Sequence, residues 1–366
     1  MRAWQQVFRA VPRRWFIPDT IWVRGNDGYM VPLRRTDDPG RWLELCDDLD
    51  ESIVTQVDDG AERRGVVPTS SSSAPFIMAR MLDALDVEPG MRVLEIGTGT
   101  GYNAALLAEQ VGTDKVTTVE VDPTLAEQAR TALKKAGYPI AVVTGDGLEG
   151  YPPNAPYDRG VVTAAATRIP YAWIEQTRPG GKIVVPWMTT FDTAGALVPL
   201  TVHDDGTASG PLHGPAAFMA LRAQRLAPEQ LNEHIDDAEH GATSTTALDP
   251  GAVTDAVTDH ALGLCVNAAY HAVGWPDDPE RYPGEYTLWL VDGAGSWASV
   301  DYEPHASAYT VEQYGPRQLW DELETAYRRW VDHGRPERER LGLTVTPERQ
   351  YVWLDSPDGP SWELPS

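Results

Sequence analysis

The chain has 366 residues and carries 54 acidic against 30 basic side chains, a formal net charge of −24. This balance disfavours a nucleic-acid partner, because neutralising a phosphate backbone requires clustered Lys and Arg. A hydrophobic content of 42% with 13 tryptophans argues against disorder, and the length fits one large domain with additions or two domains.

The N-terminal stretch, MRAWQQVFRAVPRRWF, is amphipathic and is interrupted by Arg13 and Arg14. It therefore lacks the continuous apolar core of a secretory signal, and no stretch of the chain reaches the length of a membrane span. We expect a cytoplasmic protein without a membrane partner.

Arginine pairs and two cysteines are the other features of note in bulk composition. The arginine pairs are Arg13-Arg14, Arg34-Arg35 and Arg63-Arg64. They are interpreted as solvated surface residues, with contact to an acidic peptide as the alternative. Cys46 and Cys265 stand in no paired motif, so no disulfide framework or zinc site is indicated, and we expect buried small side chains.

Four serines precede a proline in the stretch TSSSSAPF, residues 69–76. An amphipathic helix is predicted next, with Ser73 as its N-cap and Ala74 and Pro75 in its first turn. The apolar positions of this helix are Ile77, Met81, Leu82 and Leu85. Beside a helix N-terminus, the hydroxyls of residues 71–73 form an uncharged donor cluster suited to a carboxylate, and plain capping is the alternative.

The stretch MRVLEIGTGTGYNAALLAEQVG predicts a buried strand over residues 91–96, a glycine turn over 97–101 and a helix over 104–111. Glycines at 97, 99 and 101 let the backbone approach a ligand where a side chain would clash. The following helix offers free N–H groups and the positive end of its dipole.

A second strand, KVTTVEVD, ends in Glu120, which is placed to meet the ribose hydroxyls of a nucleotide ligand. The G-x-G-x-G spacing differs from the dinucleotide fingerprint, so S-adenosylmethionine fits better than a dinucleotide. A Rossmann-like turn without a ligand is the alternative. In VVTGDGLEG, Asp146 is a candidate for the adenine amino group and equally for an Asx turn.

Two more strands are predicted in YDRGVVTAAATRIP and RPGGKIVVPW, the second with a glycine turn at Gly180-Gly181. The alternation of strands and helices predicts a parallel α/β sheet covered on both faces, with ligands at the carboxyl ends of its strands.

The tail begins with a small-residue stretch, HGATSTTALDPGAVTD, that is typical of a domain boundary. EYTLWLVDGAGSWASVDY predicts two strands, and GLTVTPERQYVWLD predicts a hairpin. Between them a helix is predicted, ended by Gly334 and Pro336, with Leu319, Leu323, Tyr327 and Trp330 on one stripe. The tail aromatics are interpreted as core, with peptide contact as the alternative. His234 and His240 lack metal-ligand spacing, so no metal is assigned.

The ordered motifs TSSSSAPFIMARML, VLEIGTGTGYNAALLA, VEVDPTLAEQAR, GDGLEGYPPNAPYDRGVVTAAATRIP and QTRPGGKIVVP resemble the protein L-isoaspartyl O-methyltransferase family. The resemblance covers roughly residues 50–190. It implies a Rossmann-like class I S-adenosylmethionine-dependent methyltransferase fold. Its expected parts are an N-terminal helical extension over 1–60, a methyltransferase core over 61–240 and a C-terminal α+β substrate-recognition module over 241–366.

The resemblance also implies S-adenosyl-L-methionine as cofactor, with S-adenosyl-L-homocysteine as its product. The residues implied to bind it are Glu95, Gly97, Thr98, Gly99, Gly101, Tyr102, Asn103, Glu120, Val121, Asp146, Gly147 and Thr163. The implied catalytic residues are Ser71, Ser72 and Ser73. Ser73 matches the family's active-site serine, which touches the substrate carboxylate.

Two positions depart from the repair enzymes of that family. Those enzymes often carry His after the proline of the serine motif, where this chain has Phe76. After the last core strand they usually read Pro-Val-Gly, where this chain has Pro186, Trp187 and Met188. Both departures are expected at the substrate peptide, which leaves isoaspartate specificity open.

The segment GTASGPLHGPAAFMALRAQR and the long tail resemble a subgroup that matures ribosomally made peptides such as graspetides, lanthipeptides and lasso peptides. This implies an L-aspartate side chain in a macrocyclised precursor peptide as the substrate. Its methyl ester then loses methanol to the next backbone amide, giving an aspartimide and, on hydrolysis, isoaspartate. The alternatives are an L-isoaspartate repair methyltransferase and a catalytically silent peptide-binding partner. We expect a monomer.

Overall fold

A computed structural model describes residues 4–189, 194–225, 241–253, 270–276, 278, 280–292 and 294–364. Within these ranges the chain forms three β-sheets, of four, ten and five strands, with helices packed on them. None of the helices in these ranges is long and apolar enough to cross a membrane. Cys265, His234 and His240 lie outside the described residues, whereas Cys46 is buried as expected.

The N-terminal part forms a four-stranded antiparallel sheet with two short helices. Its elements are α1 (Gln5–Ala10), β1 (Thr20–Arg24), β2 (Met30–Arg34), α2 (Pro39–Asp47), β3 (Ile53–Val57) and β4 (Pro68–Ser72). The strand order is β2-β1-β3-β4. The expectation of a helical extension over residues 1–60 is therefore wrong for much of its length. The β-branched and aromatic run Thr20-Ile21-Trp22-Val23 favours a pleated strand over a helix.

The second sheet begins with a parallel half. Its elements are α3 (Pro75–Leu85), β5 (Val93–Ile96), α4 (Tyr102–Val111), β6 (Val116–Glu120), α5 (Pro123–Ala136), β7 (Ala141–Thr144), β8 (Tyr157–Val162), α6 (Tyr171–Glu175) and β9 (Thr177–Trp187). The order β7-β6-β5-β8-β9 is the doubly wound α/β arrangement that the sequence predicts. Because Ile96 pairs with both Val119 and Val162, the loops that follow these three strands meet at one edge.

The sheet continues with antiparallel strands β10 (Ala196–Val202) and β11 (Ala208–Pro211). The predicted glycine turn at Gly180-Gly181 lies within the start of β9, where Gly180 has a φ of +75°. A Cβ atom on Gly181 would lie 2.8 Å from the Arg178 carbonyl oxygen. Glycine therefore permits a tight, irregular start of β9, next to the register shift in its pairing with β8.

The third sheet and its helix form a separate core. The elements are β12 (Ala242–Thr246), β13 (Tyr270–Gly274), β14 (Tyr286–Val291), β15 (Trp297–Tyr302), β16 (Tyr309–Tyr314) and α7 (Leu319–Asp332). The strand order is β12-β16-β15-β14-β13. The predicted stripe of α7 is confirmed: Leu319, Leu323 and Trp330 are buried, and Tyr327 packs against the same cluster.

The chain then returns to the ten-stranded sheet. β17 (Leu341–Val345), β18 (Gln350–Leu354) and β19 (Ser361–Glu363) form its far antiparallel edge, and β17 pairs with β11. The predicted hairpin is confirmed. It belongs to the ten-stranded sheet, however, and not to a separate module over residues 241–366. Leu343 belongs to the same buried cluster as Val185 and Val198 of the large sheet. Sequence pattern defines a hairpin but not the edge to which it is added.

This shared core makes a prediction about Leu343. Leu343→Ala should lower the free energy of unfolding by about 2–5 kcal/mol through loss of buried surface and a residual cavity. Hydrogen exchange should become faster in β9 and β10, because their amides share that core. The matched control, Leu323→Ala in the third sheet's core, should accelerate exchange in β14 and β15 instead. Unchanged exchange in β9 and β10 of the Leu343 variant would show that the hairpin is peripheral.

Candidate active site

A cavity of about 770 Å³ lies at the carboxyl edge of the parallel strands. Most of its lining comes from three segments, within residues 69–80 of β4 and α3, 96–103 of the glycine turn and α4, and 215–225; further lining residues lie within 50–52, 119–125, 146–148 and 163–164. Ligands of doubly wound sheets bind at this edge, where loops from neighbouring strands diverge. The cavity therefore brings the serine run and the glycine turn, which are separate in sequence, to one site.

The glycine turn has the backbone conformation that its sequence requires. Gly97, Gly99 and Gly101 have φ values of +91°, +52° and +83°, a region that side-chain-bearing residues rarely adopt. A Cβ atom on Gly97 would also lie 2.9 Å from Thr163 Oγ1. Gly97, Thr98, Gly99 and Thr163 line the cavity. Gly101 does not; it precedes the first residue of α4 and shapes the turn.

Glu95 is also absent from the cavity lining, and its contact with the cofactor stays a prediction. Its carboxylate is fully buried beneath the turn. One oxygen accepts a hydrogen bond from Asn103 Nδ2 at 2.7 Å and the other from Thr118 Oγ1 at 2.6 Å. The Thr118 hydroxyl lies 2.7 Å from that of Thr98. Glu95 therefore joins β5, α4 and β6 behind the loop.

Glu120 occupies the position that the sequence predicts, at the end of β6 and in the cavity wall. It is nearly buried, and its two carboxylate oxygens accept hydrogen bonds from the backbone N–H groups of Gly99 (2.9 Å) and Asp122 (3.1 Å). Each oxygen keeps a further lone pair for a ligand hydroxyl. Val121, the next residue, is exposed in the same wall.

The remaining predicted cofactor residues also line the cavity. Asp146 forms the Asx turn that was one of its two interpretations, because its Oδ1 accepts from Leu148 N at 2.9 Å. Gly147 follows it, and a Cβ there would lie 2.6 Å from Ile96 Cγ2. Tyr102 and Asn103 are buried in the wall, and Asn103 Oδ1 has no hydrogen-bond partner within the described chain. Such an orphaned acceptor is suited to a donor supplied by a ligand.

The serine run is a strand and not a cap. Residues 70–72 belong to β4 and pair with β3, so the chain stays extended as far as Ala74. Ala74 is the N-cap of α3 and makes no side-chain cap bond, whereas Pro75 begins the helix. The prediction that Ser73 caps α3 is thus wrong. Ser71, Ser72 and Ser73 nevertheless all line the cavity.

Arg13 corrects the interpretation of the arginine pairs as solvated residues. Its side chain is buried beneath the serine strand. Nε donates to Ser72 Oγ at 3.1 Å, and Nη2 donates to the Ser72 carbonyl oxygen at 2.7 Å. The same guanidinium donates to the carbonyl oxygens of Asp48 and Glu51, both at 3.0 Å. Arg13 therefore fixes the end of β4 to the N-terminal part of the chain.

Residues 215–225 form the third wall, to which sequence reasoning assigned no position. Ala165 holds this segment through backbone hydrogen bonds with Met219 and Leu221. Arg222 forms ion pairs with Asp59 (3.2 Å) and Asp122 (3.3 Å). Burial alone would raise the pKa of Asp122, but hydrogen bonds from Gln56, the α5 backbone and Arg222 hold it below its ordinary value. Short-range periodicity carries no signal for such a segment.

The two departures from the repair enzymes have different positions. Phe76 is 47% exposed and lines the cavity, as expected for a residue at the substrate. Trp187 is fully buried in the core of the large sheet, where its Nε1 donates to the Thr167 carbonyl oxygen at 3.1 Å. The expectation that Trp187 meets the substrate is therefore wrong, because β9 ends inside the core.

Comparison with known proteins connects this geometry to one family. The sequence profile described as protein-L-isoaspartate(D-aspartate) O-methyltransferase (PCMT) matches residues 58–223. A protein-L-isoaspartate O-methyltransferase of Thermococcus onnurineus is 46% identical over 151 residues, 41% of this chain and 68% of that protein. One of Methanopyrus kandleri is 47% identical over 152 residues, 41% of this chain and 66% of that protein. The chain thus spans about two thirds of each relative.

A solved structure of a protein-L-isoaspartate O-methyltransferase covers nearly the whole chain. It superposes with a TM-score of 0.51 at 21% identity, over 96% of this chain and 95% of the other. At this identity the likeness bears on the fold alone. The predicted class I methyltransferase fold is confirmed, with an additional β-rich region after the core.

The buried carboxylate predicts a pH dependence of stability. Burial raises the pKa of Glu95 to about 7, against the hydrogen bonds of Thr118 and Asn103, which lower it; the charge of Glu120 raises it further. The folded protein holds the Glu95 proton more tightly than the unfolded chain does. The contribution of this proton to the free energy of unfolding is therefore complete below about pH 4.5 and is lost as the pH rises through 7.

Glu95→Gln removes this titration. In urea unfolding at pH 5, 6, 7 and 8, the wild type should lose stability relative to the variant by roughly 3 kcal/mol across the window. The test is how the stability difference between the two proteins changes with pH. The difference at any single pH is not diagnostic, because the substitution also alters the hydrogen bonds of this side chain. Parallel pH profiles for the two proteins would contradict the assignment.

The Arg13 contacts predict a large effect of a conservative change. Arg13→Lys keeps the charge but cannot donate to four acceptors, so it should lower the free energy of unfolding by about 2–4 kcal/mol. The neighbouring control, Arg14→Lys, should change it by less than about 0.5 kcal/mol, because Arg14 is exposed and pairs with Asp47 at 3.4 Å. Equal effects in chemical denaturation would rule out the buried fork of hydrogen bonds.

Proposed function

Because the chain belongs to the protein-L-isoaspartate O-methyltransferase family, we propose that it methylates an aspartyl side-chain carboxylate in a macrocyclised ribosomal peptide. The observation that carries the proposal is the single cavity shared by the serine strand and the glycine turn. A carboxylate acceptor and a methyl donor can meet only where both walls face the same space.

The chain is an S-adenosyl-L-methionine-dependent carboxyl O-methyltransferase. When bound, this cofactor supplies an electrophilic methyl group on a sulfonium. Its ammonium group and ribose hydroxyls are donors, and the cavity offers matching acceptors in the orphaned Asn103 Oδ1 and the Glu120 carboxylate. The glycine turn leaves room for close backbone approach. The residues present therefore fit the cofactor.

The chain's own residues mainly have to orient the acceptor. A substrate carboxylate is ionised near neutral pH, since the ordinary pKa of aspartate is about 3.9, so no general base is required. Ser73 supplies a neutral hydroxyl donor at the cavity wall. The Phe76 amide at the start of α3 already donates to the Leu49 carbonyl oxygen. This leaves more of the orientation to the serine hydroxyls, and orientation of the reacting groups provides much of the rate.

The macrocyclic peptide is the finer part of the proposal. Its support is the exposed Phe76 at the cavity, together with residues 215–225, which line the site and belong to the segment that resembles the peptide-maturing subgroup. After methylation, the next backbone amide of the peptide attacks the ester carbonyl and methanol leaves, which gives an aspartimide. The ester thus activates a carboxylate that would not otherwise react.

The second candidate is repair of L-isoaspartyl proteins. It is favoured by the 46% identity to the Thermococcus onnurineus protein over 151 residues. The two candidates share the cofactor and the transfer step, and they differ in whether the acceptor is an aspartyl side chain in a ring or an isoaspartyl residue.

An intact-mass time course with S-adenosyl-L-methionine distinguishes them. The two substrates are an isoaspartyl test peptide and the macrocyclised product of a precursor peptide encoded beside the gene. We expect the macrocycle to gain a methyl group and then to show a net loss of water, while the test peptide stays unchanged. Reaction of the isoaspartyl peptide alone would replace the first candidate by the second.

Ser73→Ala should lower turnover about tenfold to hundredfold, the effect of losing one hydrogen bond to a charged group. Binding of S-adenosyl-L-homocysteine, measured by calorimetry, should be nearly unchanged. The control is Ser70→Ala, because the Ser70 hydroxyl already accepts a bond from Thr55 at 3.2 Å. Equal loss of turnover and cofactor affinity in the Ser73 variant would contradict its assigned role.

A further inference from the structure

Beyond the serine strand, α3 presents a second pair of side chains to the cavity. Its buried face packs into the core through Met78, Leu82 and Leu85. Phe76 and Arg80 lie one turn apart on the other side, and both line the cavity with Ser73. The Arg80 guanidinium carbon lies 5.9 Å from the centre of the Phe76 ring. The helix thus places an apolar surface and a cation beside the predicted position of the acceptor.

The charge of Arg80 is available to a ligand. Arg222 and Arg225 line the same cavity, but both are paired with Asp59, and Arg222 also with Asp122. Arg80 makes no ion pair with any carboxylate in the part of the chain that the structure describes, and its guanidinium donates to a neutral acceptor, the Pro215 carbonyl oxygen. An unpaired guanidinium in a cavity wall is a suitable partner for a carboxylate.

The guanidinium is also held in position. Nη1 donates to the Pro215 carbonyl oxygen at 3.1 Å, which connects α3 to the segment that closes the site. A Cβ atom on Gly214 would lie 3.1 Å from Nη2, so glycine at this position leaves space for the fork. Arginine has five N–H donors, and one bond to Pro215 leaves enough for a bidentate contact with a carboxylate.

The surrounding charges explain why such a contact matters. The chain has a net charge of −24, and two acidic residues, Asp50 and Glu51, also line the cavity. An acidic peptide approaching this site is repelled unless a local cation offsets the field. A peptide with a neutral or basic flanking residue would gain little from Arg80.

We propose that Phe76 and Arg80 form a specificity subsite for an acidic residue next to the methylated one, so that the substrate class is an acidic peptide. The guanidinium binds the flanking carboxylate, and the Phe76 ring packs on the aliphatic part of the same side chain. The inference rests on the proposed function, because it assumes that a peptide carboxylate is methylated in this cavity.

The test uses two peptide pairs, a linear isoaspartyl hexapeptide and a backbone-cyclised aspartyl hexapeptide. Each is made with Glu or with Gln beside the acceptor residue. For whichever pair is methylated, the wild type should prefer the Glu peptide by about fivefold to tenfold in kcat/KM, mostly through KM. Arg80→Gln should abolish the preference, so that kcat/KM becomes equal for the Glu and Gln peptides. Arg80→Lys should restore part of it.

The control is Arg63→Gln, an exposed arginine outside the cavity lining, which should keep the wild-type preference. A wild type without preference, or an equal loss for both peptides in Arg80→Gln, would overturn the subsite and leave Arg80 as a link between α3 and Pro215.

A binding measurement separates this proposal from the proposed function. Anisotropy of the same fluorescein-labelled peptides is recorded with S-adenosyl-L-homocysteine present. Binding with a Glu preference but without methylation would support the subsite and contradict the proposed function. Methylation without a preference would do the reverse, and peptides that neither bind nor react would contradict both.

Discussion

The active site depends on the carboxylate of Glu95, which does not line the cavity. Glu95 is fully buried, and its two oxygens accept hydrogen bonds from Asn103 and Thr118, so one side chain holds the end of β5, the first turn of α4 and the middle of β6. The glycine turn between these elements has little side-chain surface with which to define its own shape. The hydrogen bonds of Glu95 therefore fix the geometry of the turn, and the Glu120 carboxylate stabilises it further by accepting a hydrogen bond from Gly99 N.

The parallel half of the fold and most of the cofactor wall could be predicted from sequence, because their signals are local. A glycine that needs positive φ, a strand that ends in an acidic residue and a helix with a buried stripe all express constraints over a few neighbouring residues. The side chain of Glu95 shows a limit of this reasoning. Its place next to the glycines suggested a ligand contact, but the alternation of side chains along β5 turns it into the core.

The unpredicted features depend on contacts between distant parts of the chain. Arg13 lies 59 positions before the serine that it binds, and nothing in its neighbourhood distinguishes it from the exposed Arg14. Ser73 looked like a cap because serine before proline favours helix starts, but pairing of β4 with β3 keeps the preceding residues extended. Tertiary pairing overrides local propensity in both cases. The position of residues 215–225 over the site follows from the topology of the sheet in the same way.

The pairing of β11 with β17 has a consequence for how this scaffold can evolve. These strands are neighbours although the whole third sheet lies between them in sequence. The chain therefore leaves the large sheet after β11, forms the third sheet and returns to the large sheet at β17. The third sheet has the character of an inserted domain with adjacent entry and exit points. Such insertions can diverge, grow or be exchanged between lineages while the host fold remains intact. The methyltransferase core and the inserted unit can accordingly change at different rates.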